Sequence, residues 1–143
     1  MSEGAPASIA INHDEYQAKR IGRTADGRQF FLTNPFVPMG SEFIALYLFD
    51  AAGQLLEAKI DDLGTRELVD DDYARALIET RLEELGEFTF GDIQVAPFRL
   101  ERFGTEFGLI PEAPEEEGEH WWVTAEPGDY MAFYPPWDGD YDT

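Results

Sequence analysis

The sequence predicts an α+β fold: an antiparallel β-sheet of about six to eight strands, laid out as a meander with hairpins, carrying one amphipathic helix packed on one face. Three observations lead there. Residues 41–50, SEFIALYLFD, are apolar on both alternating faces, with Phe43, Ala45, Tyr47 and Phe49 on one and Ile44, Leu46 and Leu48 on the other. That pattern marks a central strand covered on both sides. Turn residues such as Asp26-Gly27 and the EPGD stretch at 126–129 separate short β-rich runs, as hairpins require. Only at 70–86 does the spacing become helical, with Tyr73, Leu77, Ile78, Leu82 and Leu85 forming one stripe.

Taken in order, residues 1–15 read as a polar, flexible lead. The stretch KRIGRTADGRQFFLTNPF (19–36) reads as a hairpin, and it holds four of the ten basic residues, Lys19, Arg20, Arg23 and Arg28. After the strand at 41–50, DAAGQ turns the chain into QLLEAKID, where Leu56, Ala58 and Ile60 alternate with Leu55, Glu57 and Lys59, so one face is mostly solvated. The helix begins under Asp70 to Asp72, whose carboxylates suit its N-terminus, and stops at Gly86, a residue that takes the left-handed conformation freely. Strands broken by Pro97 and by a turn at Gly104-Thr105 follow, then a charged loop at 111–119 and a final hairpin ending in the acidic tail 135–143. Neither a repeat nor a linker interrupts the 143 residues, a length that suits a single domain burying about two-thirds of its unfolded surface.

Charge is the outlying quantity: ten Lys and Arg stand against thirty Asp and Glu, for a formal net charge of -20. Such a field repels nucleic acid and anionic lipid, and it attracts and orients basic partners. Direct nucleic-acid binding and membrane association are therefore not expected. The same charge also has a plainer use, in solubility or adaptation to salt. There is no cysteine, which fits a reducing, cytoplasmic setting, and the opening residues lack the basic and apolar regions of a secretory signal.

No cofactor or metal is expected. Asp138, Asp140 and Asp142 alternate as at the start of a calcium loop, but the glycine and closing glutamate of such a loop do not follow. The two histidines, His13 in HDE and His120 in EEEGEH, lie far apart, whereas catalytic metal sites set several ligands on one frame. Ser2, Ser8 and Ser41 sit in no nucleophile elbow, and thirty carboxylates make any acidic pair uninformative as a glycosidase signature.

From Glu101 to Thr143 twelve carboxylates face one basic residue, Arg102, and all three tryptophans lie among them. In a strand Trp121 and Trp122 point to opposite faces, so one can join the core while the other must lie on the second face. The second face is covered by the helix or a loop, or it is open to a partner. In the open case the candidate contact residues are Trp121, Trp122, Tyr130, Tyr134, Trp137, Asp138, Asp140, Tyr141 and Asp142, aromatic anchors ringed by charge. Trp137, stiffened by Pro135 and Pro136, either folds back as a lid on the core or faces that partner.

The stretches IGRTADGRQFF, LYLFDAAGQLLEAKIDDLG, FGDIQVAPFRLERFGTEFGLI and above all FYPPWDGDYDT resemble a group of small acidic bacterial proteins of uncharacterised role. Some of these carry the name formate hydrogenlyase regulatory protein. That name implies a repressor, yet this sequence has neither a helix-turn-helix nor a basic face, and the resemblance brings no functional residues with it. The residues themselves lead to a non-enzymatic, acidic binding protein that neutralises or regulates a basic protein, of the immunity-protein or inhibitor type, with nucleic-acid mimicry as a special case. The alternative is a small enzyme or ligand-binding domain with a carboxylate-lined pocket that includes His13 or His120.

Overall fold

The computed structural model describes residues 4–143; the first three residues of the expected lead, Ser2 among them, lie outside the described residues. The elements run β1 (Ile9–Ile11), β2 (Ile21–Thr24), β3 (Gln29–Thr33), β4 (Ser41–Phe49), β5 (Leu55–Thr65), a 3-10 turn (Arg66–Leu68), α1 (Asp71–Glu84), β6 (Phe88–Phe90), β7 (Ile93–Val95), β8 (Phe98–Arg102), β9 (Thr105–Glu112), β10 (Trp122–Glu126), β11 (Ala132–Phe133) and β12 (Tyr141–Asp142). The α+β class holds, but the single sheet of about six to eight strands does not. Among the described residues twelve strands form three sheets: a five-stranded sheet in the order β5-β4-β3-β2-β6, a second in the order β12-β11-β10-β9-β8, and a ribbon of β1 with β7. Every pairing is antiparallel.

The doubly apolar β4 explains the layering. Its Phe43, Ala45, Tyr47 and Phe49 enter a core shared with Phe107, Leu109, Val123, Ala125 and Phe133 of the second sheet and with Met131 just before β11. Ile44, Leu46 and Leu48 enter a second core with Phe30 and Leu32 of β3 and Leu77, Ile78, Leu82 and Leu85 of the helical segment. The layers are therefore helix, first sheet, second sheet. Phe43 meets Phe107 edge to face at 4.9 Å, and Tyr47 meets Phe98 at 4.7 Å. A sequence shows that both faces of β4 are buried; it does not show that one cover is a helix and the other a sheet.

The helix forms as its ends dictate. Asp70 accepts from the Asp72 and Tyr73 amides at 2.9 and 3.2 Å, and Gly86 ends the helix at φ +74°. The stripe meets the sheet from Leu77 onward, while Tyr73 on the first turn stays 59% exposed, outside the core it was expected to join. Arg81 ties the other end to β5 through both oxygens of Asp61, at 2.8 and 3.0 Å.

Other differences are local. Leu48 pairs with Glu57 and Phe49 with Leu55, so Leu56 is the extra residue of a β-bulge. A bulge flips the faces beyond it: Leu55, Ala58 and Ile60 pack against the inter-sheet core and Leu56 is exposed, whereas simple alternation put Leu56 with Ala58 and Ile60. The turn after β8 is Phe103-Gly104, at φ 54° and 71°, one residue earlier than its sequence suggests, because Thr105 already pairs with Arg102. Within the expected flexible lead, Ile9 and Ile11 are fully buried in β1. Among the described residues no helix is long and apolar enough to cross a membrane.

Candidate functional site

The acidic tail is a folded element. Phe133 pairs with Tyr141 and Ala132 with Asp142, so β12 closes the second sheet. The segment between is tied to the N-terminal strand: the Ala10 amide donates to the Trp137 carbonyl at 3.4 Å and the Asn12 amide to the Gly139 carbonyl at 3.1 Å. The Asn12 side chain donates to the Asp138 carbonyl at 3.3 Å and to Asp140 Oδ1 at 3.2 Å. Tyr141 closes the clasp, its hydroxyl donating to Asp14 Oδ2 and accepting from the Gln17 amide at 3.1 Å. Held this way, Trp137 at φ 66° packs its ring against the inter-sheet core.

That packing creates a cleft of about 270 Å³ lined by Pro114, Glu119, His120, Trp121, Pro135 and Trp137 together with Gly4. Its loop side is built by Glu119, whose Oε1 accepts the amides of Glu115 and Glu116 at 3.2 and 3.0 Å. Glu119 is the carboxylate that lines it, and Glu115, Glu116, Glu117 and Asp138, neighbours of lining residues in the chain, are exposed. Indole faces attract cations through the ring quadrupole, and prolines present a rigid apolar wall. Chemically the cleft suits a cationic side chain whose stem lies along apolar surface and whose head meets carboxylates.

The expected contact residues divide. Trp121 and Trp122 are both half-buried, and neither joins a core as one of them could have done. The tryptophan that packs on the core is Trp137, because the tail folds back. Tyr134, Asp138, Asp140 and Asp142 are exposed. Tyr130 is buried, its hydroxyl accepting from Thr33 Oγ1 at 3.0 Å, and burial pushes its phenol well up; it cannot touch a partner. Tyr141 belongs to the clasp, and burial followed by the bond to Asp14 pushes its phenol up to about 12.

The acidity is concentrated enough to oppose itself. Half-buried Glu126 has its carboxyl raised first by burial, with Asp129 and Glu112 adding like charge. Among the described residues no group of three or more His, Asp or Glu side chains could hold a metal ion.

A groove of about 440 Å³ does gather His13, Asp14, Asp140 and Tyr141. Its polar groups are committed to the clasp. One Asp14 oxygen accepts the Tyr16 and Ala18 amides at 2.9 and 3.1 Å and the other accepts Tyr141. Burial opposes ionisation of Asp14, but these bonds outweigh it and hold the carboxyl below its ordinary value. His13 Nε2 lies 3.0 Å from the Lys19 carbonyl, and its ring stacks on Phe90 at 5.7 Å.

Sequence reasoning missed Asn12 and Gly139. They are the hinge of the clasp, and no local pattern marks an asparagine whose partners lie 126 and 128 residues away. No family model matches the chain, and no curated protein or solved structure gives a significant match.

Proposed function

We propose that this is an acidic binding protein for a basic protein partner, without catalytic chemistry of its own, and that the Trp121–Trp137 cleft takes a lysine or arginine side chain of that partner. The observation that carries the reading is the cleft itself: two indoles and two prolines wall it, and Glu119 lines it in the most acidic stretch of the chain. The net charge of -20 brings a basic surface to it, since complementary fields accelerate and orient encounter. The ring contacts then select a cation, each contributing about 0.5–2 kcal/mol according to how dry it becomes. Neutralising or regulating a partner needs only this surface on a rigid frame.

Capture of partners from the source organism's lysate at low and high salt tests it. A basic protein should be retained at low salt and released at high salt, because rim charge is screened. Trp121→Ala should lose it; this residue lies outside both cores, so the fold is kept. Retention of no basic protein at low salt, or equal retention by Trp121→Ala, overturns the proposal.

A further inference from the structure

A third cavity, of about 430 Å³, has the opposite character to the Trp121–Trp137 cleft. It lies where the segment after His13, the end of β3 and the helix meet, and Lys19, Arg20 and Arg66 all line it. In a chain with thirty carboxylates, six of the ten basic side chains hold an acid: Arg28, Lys59, Arg66, Arg75, Arg81 and Arg99. Lys19 and Arg20 make no side-chain hydrogen bond or ion pair among the described residues. Arg20 is half-buried, and burial lowers the pKa of its guanidinium. An unpaired, partly desolvated guanidinium is unfavourable unless something completes it.

The rest of the lining narrows what that is. The Glu42 carboxylate also faces the cavity, but Arg66 Nε lies 3.4 Å from it, and the Arg66 guanidinium sits 3.9 Å over the Phe36 ring. Three cations therefore face one carboxylate that is already paired. Leu32 and Ile78 supply an apolar wall, and Gln17 a neutral polar group. The volume lies within the range of about 300–1,000 Å³ found for small-molecule sites.

We infer that this cavity binds a small organic anion, an apolar body bearing one carboxylate or phosphate head, with Arg20 and Lys19 on the head and Leu32 and Ile78 on the body. Arg20 suits either head, because its planar fork matches both oxyanions. The cavity shares no lining residue with the Trp121–Trp137 cleft, so the two readings stand or fall separately.

Titration of the full chain with phenylacetate, phenyl phosphate and neutral benzyl alcohol, followed by the backbone amide signals of Leu32, Thr33 and Ile78, tests the inference. One or both anions should shift these signals saturably, and which of them does so identifies the head. The alcohol should not. Arg20→Gln should weaken the better anion by about tenfold or more, as loss of a charged hydrogen bond implies. Lys19→Gln, at an exposed position, should weaken it by about threefold and decides the matter if Arg20→Gln does not fold. Arg102→Gln, away from the cavity, should leave affinity unchanged. The inference is overturned if neither anion shifts these amides, if the alcohol shifts them equally, or if the folded Lys19 and Arg20 variants bind as the wild type does.

Discussion

Replacing Gly139 by alanine tests the clasp on which the cleft depends. Gly139 sits at φ +105°, and a Cβ there would stand 2.3 Å from Asn12 Oδ1 and 2.4 Å from Asn12 Cγ. The asparagine can swing aside, but only by giving up its bonds to the Asp138 carbonyl and Asp140 Oδ1. At this half-exposed site those two bonds contribute about 0.5–1 kcal/mol each. Holding an L-residue on the left-handed side adds about 1–2 kcal/mol. Gly139→Ala should therefore cost about 2–4 kcal/mol, read as a lower urea midpoint in denaturation followed by tryptophan fluorescence and circular dichroism. In an Asn12→Ala background the steric part disappears, so the Gly139→Ala step should fall to the backbone share of about 1–2 kcal/mol. A total loss below about 0.5 kcal/mol, within the range of ordinary surface substitutions, would refute the conformation assigned to the tail. Equal costs in the two backgrounds would refute the Asn12 contact. Because Trp137 is seated by the same clasp, Gly139→Ala should also weaken retention of the basic partner.

Two further outcomes concern tyrosine hydroxyls. Tyr47 Oη is buried without a hydrogen-bond partner among the described residues. Since an unmet hydroxyl costs about 1–3 kcal/mol, Tyr47→Phe should stabilise the fold by about 1 kcal/mol in urea; destabilisation would show that the hydroxyl is bonded after all. For the clasp, the Tyr141 phenol is raised from its ordinary value near 10 to about 12, so its share of stability is complete below pH 10 and is lost as pH climbs to 12. Asp14 is shifted the other way, so its share is present above the ordinary carboxylate value and is lost as pH falls through its own lower one. The stability difference between wild type and Tyr141→Phe should thus be flat in the middle of the pH range and shrink at both ends; a difference that grows at either end contradicts the clasp.

Much of the fold was legible because it rests on local rules. The alternation of β4 announced two buried faces, and both cores received the residues that alternation assigned. The Asp70 cap, the stripe from Leu77 to Leu85 and the Gly86 stop placed the helix. The Asp26-Gly27 turn placed the first hairpin, with Gly27 at φ +89°. Short strands were not legible. β1, β6 and β12 have three residues or fewer, too few to display a period; β1 and β6 exist because a distant strand offers them hydrogen bonds, and β12 because the tail folds back on β11.

The candidate site divides on the same ground. The amino-acid sequence by itself determined the class, the charge, and the gathering of tryptophans and carboxylates in the last third, because these depend on composition and near neighbours. Only tertiary structure decided that Tyr130 goes inside, that Trp137 rather than Trp121 or Trp122 packs on the core, and that Lys19 and Arg20 line a cavity while six other bases find acids. Each of those outcomes is set by contact between residues far apart in the chain, such as Asn12 with Asp138 and Thr33 with Tyr130. No local periodicity encodes such a contact; it appears when two buried surfaces close on one another and leave a polar group one partner within reach.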